Sequence, residues 1–231
     1  MSGRLVALVR HDLRLQARYG IYLAYGFVVA FYVVVLVGLG DLLPSWAIGV
    51  LLYSDPAAVG FFFLGALMLL EKGEGVRMAL AAAPAGAVDY FVGKVITLTG
   101  LSVLAALIIV LAVHPDADLV LLLIGQALTS LSFIGLGVPL ALRFRTVNGY
   151  LVGAGAALTP FLLPAALALL EPMPVWALLW PPAAQLRLVL VATGYGVATP
   201  VEIGLMLMSM LVFAVATTAV ALLALRRELG K

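Results

Sequence analysis

Val95-Ile96-Thr97-Leu98-Thr99-Gly100-Leu101-Ser102-Val103-Leu104-Ala105-Ala106-Leu107-Ile108-Ile109-Val110-Leu111-Ala112-Val113, closed by His114-Pro115-Asp116, is an apolar run without one charged residue. At about 1.5 Å per helical residue it reaches about 28 Å, the thickness of a bilayer's hydrocarbon core. Five more apolar runs flank it: Tyr19 to Leu39, Asp55 to Leu70 with Trp46 to Tyr53 extending it, Leu119 to Leu142, Val147 to Leu170 and Val201 to Leu225. The second run holds Ser54-Asp55-Pro56, where Asp55 suits a helix cap and Pro56 a first helical position, so a break is expected there. The pattern predicts an all-α polytopic membrane protein with six spans.

Composition agrees. The 231 residues are 65% hydrophobic and 10% charged, with a mean hydropathy of +1.22. Soluble domains carry about 25% charged residues. Six spans and short loops use the whole length, so residues 1–231 read as a single transmembrane domain. The absence of cysteine excludes disulfides, thiol catalysis and Cys-ligated zinc.

Charge placement sets the expected orientation. With six spans and a cytoplasmic N-terminus, the inner side holds Arg4, Arg10, Arg14, Arg18, Lys72, Arg77, Lys94, Arg143, Arg145, Arg226, Arg227 and Lys231, and the outer side only Arg187. This asymmetry puts both termini in the cytoplasm. Residues 172–200, rich in Pro and holding Trp176, Trp180 and Tyr195, then read as an extracytoplasmic re-entrant or interfacial segment. The start does not read as a cleavable signal. Arg10, Arg14 and Arg18 share one helix face and Leu5, Val9 and Leu13 another, so residues 1–18 read as an amphipathic surface helix or as a basic flank of the first span.

The six runs hold no Asp, Glu, Lys or Arg away from their ends, with Asp55 at the start of the second and Glu202 at the edge of the sixth. A carrier driven by a buried carboxylate is therefore not expected. Gly93-Lys94 is not a P-loop, because Val88 and Val95 occupy the required Gly and Ser/Thr positions. No metal-ligand spacing is present, and neither a metal site nor a nucleic-acid partner is expected. Gly149, Gly153 and Ala157 form a small-residue stripe suited to packing within the subunit or between subunits. Pro139, Pro160 and Pro164 are candidate kinks.

The longest inner loop, residues 71–94, mixes charge with helix formers. Met78, Leu80 and the alanines suggest a short surface helix stopped before Pro84, with Asp89 able to cap the third span. Glu71-Lys72, Glu74, Gly75, Pro84, Tyr90 and Lys94 resemble the intracellular loop of ABC-2-type permeases. Ser54-Asp55-Pro56 with Phe61-Phe62-Phe63, and Arg10-His11-Asp12-Leu13-Arg14-Leu15-Gln16 with Arg18-Tyr19-Gly20, resemble the fluoroquinolone export permease subunits in particular. The resemblance covers essentially the whole chain. Val76-Arg77-Met78 replaces the Thr-Leu-Glu usual in that family.

The resemblance implies a permease subunit in the cell membrane, paired with a second permease as homo- or heterodimer. A cytosolic ABC ATPase would carry ATP and magnesium, and no cofactor is expected on this chain. Glu71, Lys72, Glu74, Gly75, Arg77, Pro84 and Asp89 are the candidate coupling residues. A path at the dimer interface would take Phe61, Phe62, Phe63, Asn148, Thr159 and Phe161, which suit an amphiphilic or hydrophobic solute. The rival readings are a non-transporting membrane scaffold and a membrane-embedded enzyme or channel. Deleting residues 71–83 is expected to abolish co-purification of an ATPase partner. Retained co-purification would remove this loop from the docking surface.

Overall fold

The computed structural model describes residues 2–44, 46–74 and 86–229. Among them are six helices long and apolar enough to cross a membrane and no β-strand. A surface helix, α1 (Ser2–Arg18), turns at Gly20 into the first span, α2 (Ile21–Leu39). Gly20 holds φ +69°, a left-handed conformation that glycine adopts without a Cβ clash.

The second span runs continuously from Ala47 to Gly73 as α3 (Ala47–Ala57), a π-helical segment (Ala58–Phe63) and α4 (Leu64–Gly73). The break expected at Ser54–Pro56 is not there. The Ser54 hydroxyl donates back to the Leu51 carbonyl, and the irregularity follows Asp55 as the π-helical segment. Asp55 does not cap, because its carboxylate bonds to other helices. The third span, α5 (Ala87–Val113), starts well before Val95. Asp89 accepts a bond from the Gly86 amide from inside the first turn, so it supports the helix start without being its cap residue.

The fourth span, α6 (Leu119–Ala141), is capped by Asp118, which accepts from the Leu121 amide at 3.0 Å. The fifth, α7 (Val147–Leu162), is capped by Thr146 and tightens into a 3-10 segment at Leu163–Leu169, next to Pro160 and Pro164. A second 3-10 turn (Val175–Leu179) leads to α8 (Pro181–Ala192), and α9 (Pro200–Leu229) is the sixth span. Thr199 and Glu202 form a reciprocal capping box at its start.

α6 is the hub. It packs against α3, the π segment, α4, α5, α8 and α9. Its buried face interleaves small or hydroxyl-bearing residues, Gly125, Thr129, Ser130, Gly135 and Gly137 among them, with larger ones such as Leu122, Phe133 and Ile134. Backbones can approach closely there: a Cβ on Gly135 would stand 2.8 Å from the Thr217 backbone carbon of α9. Tyr150 of α7, wholly buried, lies against Gly65 and donates to the Phe61 carbonyl at 2.7 Å, joining spans two and five across the π segment.

α8 extends about 18 Å at 1.5 Å per residue, too short to cross. It is nonetheless buried on most sides, with Leu188 against Gly125, Met206 and Met210. Arg187 pins the segment, donating to the Ala168 carbonyl at 3.2 Å, the Val197 carbonyl at 2.7 Å and the Glu171 carboxylate at 2.7 Å. That bond from Arg187 holds the Glu171 carboxyl below its usual range.

Gly135→Ala should separate α6 from α9 and cost about 1–3 kcal/mol as an overpacking change. Gly100→Ala, where a Cβ meets nothing within 4 Å, should be close to neutral. Thermal unfolding in detergent micelles compares the two.

Candidate functional site: two buried polar clusters

The arginine face of α1 is exposed as expected at Arg10, Arg14 and Arg18, but the opposite face is not the predicted apolar one. Leu13 is 43% exposed, whereas Asp12, Leu15 and Gln16 are buried against α5. The reason is Lys94. Within α5 its side chain is 3% exposed, and its ammonium bonds Asp12 of α1 and, at 2.5 Å, Glu71 of α4. Thr97 also donates to Asp12, and Gln16 reaches Asp12 at 2.9 Å and Thr97 at 3.1 Å. The Tyr90 hydroxyl donates to Glu71 at 2.5 Å, and the Lys94 ammonium stands 5.5 Å from the Tyr90 ring centre. Lys94 and Thr97 share a helix face because they are three apart.

One step outward, Glu74 accepts from the Tyr19 hydroxyl at 2.6 Å and pairs with Arg18 at 3.3 Å. The bond to the Glu74 carboxylate, and then burial, raise the Tyr19 phenol above its ordinary range, so it stays a donor. The whole basic end thus ties α1 to α4 and α5. Three elements distant in sequence meet through side chains that hydropathy alone assigns to loops.

The second cluster corrects the expectation of charge-free spans. Asp55, 4% exposed, lies within the second span. Tyr25 of α2 donates to one carboxylate oxygen. Ser102 of α5 and Gln126 of α6 donate to the other at 2.8 Å and 3.4 Å. Gln126 also donates to Ser102 at 3.1 Å. One carboxylate therefore joins four of the six spans. Lys94 is likewise inside a span, α5. In sequence, Asp55 was hidden by a valid local cap pattern; its one signal was its position between two apolar stretches that together make one span.

The sequence-predicted residues separate into groups. Glu71 is 3% exposed and engaged inward with Lys94, while Lys72 is exposed. Gly75, Arg77, Pro84 and the helix expected around Met78 and Leu80 lie outside the described residues. Phe61, Ala157 and Phe161 come together on a cavity of about 430 Å³ that also touches Pro139, Arg143 and Phe213. Phe161 stacks on Phe213 at 5.4 Å, and Phe62 packs edge-on against Phe61. Phe63 turns instead to Tyr25, with ring centres 6.0 Å apart. Asn148 and Thr159 are exposed on α7, and the Thr159 hydroxyl bonds back to Gly155. Of the stripe, Gly149 and Ala157 are exposed and Gly153 lies under the Phe144 ring; the buried face of α7 is the neighbouring row Tyr150, Ala154 and Leu158. No group of three or more His, Cys, Asp or Glu suited to a metal occurs among the described residues.

Comparison with known proteins bears on all of this. The fluoroquinolones export permease proteins of two Mycobacterium tuberculosis strains, CDC 1551 and H37Rv, are each 28% identical over 77% of this chain and 73% of their own length. No solved structure matches. The sequence pattern of the fluoroquinolones export permease protein family matches residues 3–229, and the chain belongs to that family, as a multi-pass membrane protein with six spanning helices.

Proposed function

We propose that this chain is the membrane-spanning permease subunit of an ATP-driven ABC exporter whose ATPase is a separate cytosolic protein. ATP and magnesium sit on that partner, which docks at the basic end, and the chain lies in the cell membrane with both termini inside. The relatives' names, as fluoroquinolones export permeases, support export of an amphiphilic drug-like compound. The exposed row at Gly149 and Ala157 is the candidate contact for a second permease, identical or related. It borders the cavity of Phe61 and Phe161, where an apolar solute would fit.

The observation that carries this reading is the Asp12–Lys94–Glu71 joint. Movement imposed on the 71–94 loop or on α1 cannot stay local, because both are bonded to the buried ammonium at the foot of the third span. A buried charge stripped of a partner costs about 3–5 kcal/mol, so the joint moves as a unit. Its position at the flanks of the loop favours a driven transporter over a passive scaffold.

Glu71→Gln keeps one acceptor oxygen where Glu71 offers one to Lys94 and another to Tyr90, and so weakens the joint. It should leave ATPase co-purification intact and lower ATP-driven drug efflux from inverted vesicles about ten-fold. Unchanged efflux would remove the joint from the mechanism. A wild-type chain that never associates with an ATPase and never alters drug accumulation would sink the exporter reading and leave the scaffold.

A further inference from the structure

Asp55 and Lys94 are both buried ionic groups, but they are satisfied differently. Asp12 and Glu71 share a cation. Asp55 takes only neutral donors, Tyr25, Ser102 and Gln126, and among the described residues no Lys, Arg or His lies within ion-pair distance of it. An ionisable group inside a span is costly and marks function, with its partner to be named. A carboxylate buried without a counter-ion is the case that a charged ligand would complete.

Two further observations concern the same place. Gln126, wholly buried, uses its amide nitrogen on Asp55 and Ser102, and its carbonyl oxygen has no partner. The cluster therefore has more acceptors than donors. Tyr25 also has a second face. It forms part of the wall of a groove of about 570 Å³ between α2 and α5, lined otherwise by apolar residues such as Val29, Val33, Leu101 and Leu104. Tyr22 also lines that groove, and its hydroxyl is buried and unpartnered. The volume suits a drug-sized molecule. α2 packs little on the rest of the bundle, with Leu23 82% and Phe27 73% exposed, so the groove opens towards lipid.

We propose that this groove binds an amphiphilic organic ammonium, its apolar body between α2 and α5 and its N–H donors drawn to Tyr25 and the Asp55 carboxylate behind it. The Tyr25 hydroxyl yields its bond to Asp55 as the ammonium arrives, and the Gln126 carbonyl supplies a further acceptor. The Tyr25 ring face adds attraction for the cation. Charge complementarity selects this occupant over a lipid tail, which would fill the groove and leave Asp55 and Gln126 as they are. The site rests on the exporter reading for its purpose, as the place where substrate is taken from the bilayer, though not for its existence.

The test uses the full chain in lipid nanodiscs and a matched pair of fluorescent probes. Dansylcadaverine carries a naphthalene body and a primary ammonium; its N-acetyl derivative is neutral. Wild type should bind the ammonium probe about ten-fold more tightly than the neutral one, by fluorescence anisotropy. Asp55→Asn should erase that preference without changing affinity for the neutral probe. Tyr25→Phe, which keeps the ring and frees the carboxylate, should retain it. Gly26→Leu, where a Cβ meets nothing within 4 Å, fills the groove and should weaken both probes. Equal binding of the two probes by wild type overturns the proposal and needs no variant to fold. A preference that survives Asp55→Asn, or binding indifferent to Gly26→Leu, overturns it as well. ATPase co-purification is read in parallel. Its loss with the ammonium preference intact refutes the exporter alone, and the converse refutes this site alone.

Discussion

Lys94 is an ammonium only 3% exposed, and much of the arrangement at the basic end follows from how it is satisfied. In a bilayer the alternative to an internal partner is none at all. The two carboxylates come from elements well separated in sequence, Asp12 on α1 and Glu71 on α4. Once Asp12 must face α5, the roll of α1 about its axis is set. Leu15 and Gln16 turn inward with it, and Arg10, Arg14 and Arg18 turn out. Gln16 and Thr97 then occupy lone pairs on Asp12 that Lys94 leaves open. The surface helix is thus fixed by hydrogen bonding and charge more than by burial of an apolar stripe.

Apolar surface has a different role here from its role in water. Lipid is as apolar as leucine, so helices gain little by hiding leucines from it. The exposed Leu23, Phe27 and Val34 of α2 and Val201 and Val212 of α9 are therefore in their proper solvent. What gathers the bundle around α6 is close backbone approach at Gly135 and Gly137, the seating of the Leu188 side chain on Gly125, and hydrogen bonding through Ser102 and Gln126. The same logic explains α8. It is too short to cross, and it packs beside longer helices because Arg187 closes the carbonyls of Ala168 and Val197 around it.

The six spans were legible because each is a long apolar run, and the hydropathy of a run needs no knowledge of neighbours. The arginine face of α1 was legible for a similar reason, since a spacing of four is a local property. The buried face was not. Leu5, Val9 and Leu13 are the apolar choice, and only the location of Lys94 makes Asp12 and Gln16 the inward ones. Asp55 failed in the same way: Ser-Asp-Pro is a sound cap locally, and donors on three other helices override it. Lys94 read as the last loop residue because charges usually end spans, whereas α5 begins at Ala87. Asp12, Gln16, Asp55 and Lys94 are all polar residues whose partners lie far away in sequence.

The two clusters share two helices, and those helices differ in a way that matters. Span three carries Lys94 and Ser102 on one unbroken α-helix. Span two carries Glu71 and Asp55 on either side of the π-helical segment Ala58–Phe63. A π-helical turn holds an extra residue and a looser hydrogen-bond register, and such turns concentrate where helices do work. The one at Ala58–Phe63 is braced from outside by Tyr150, which bonds the Phe61 carbonyl. Continuous helix therefore joins Lys94 to Ser102. Between Glu71 and Asp55, by contrast, the helix passes through the looser π-helical register. Of the two routes from the basic end to the buried carboxylate, one is a rod and the other contains a joint, and the joint lies next to the cavity that Phe61 and Phe161 line.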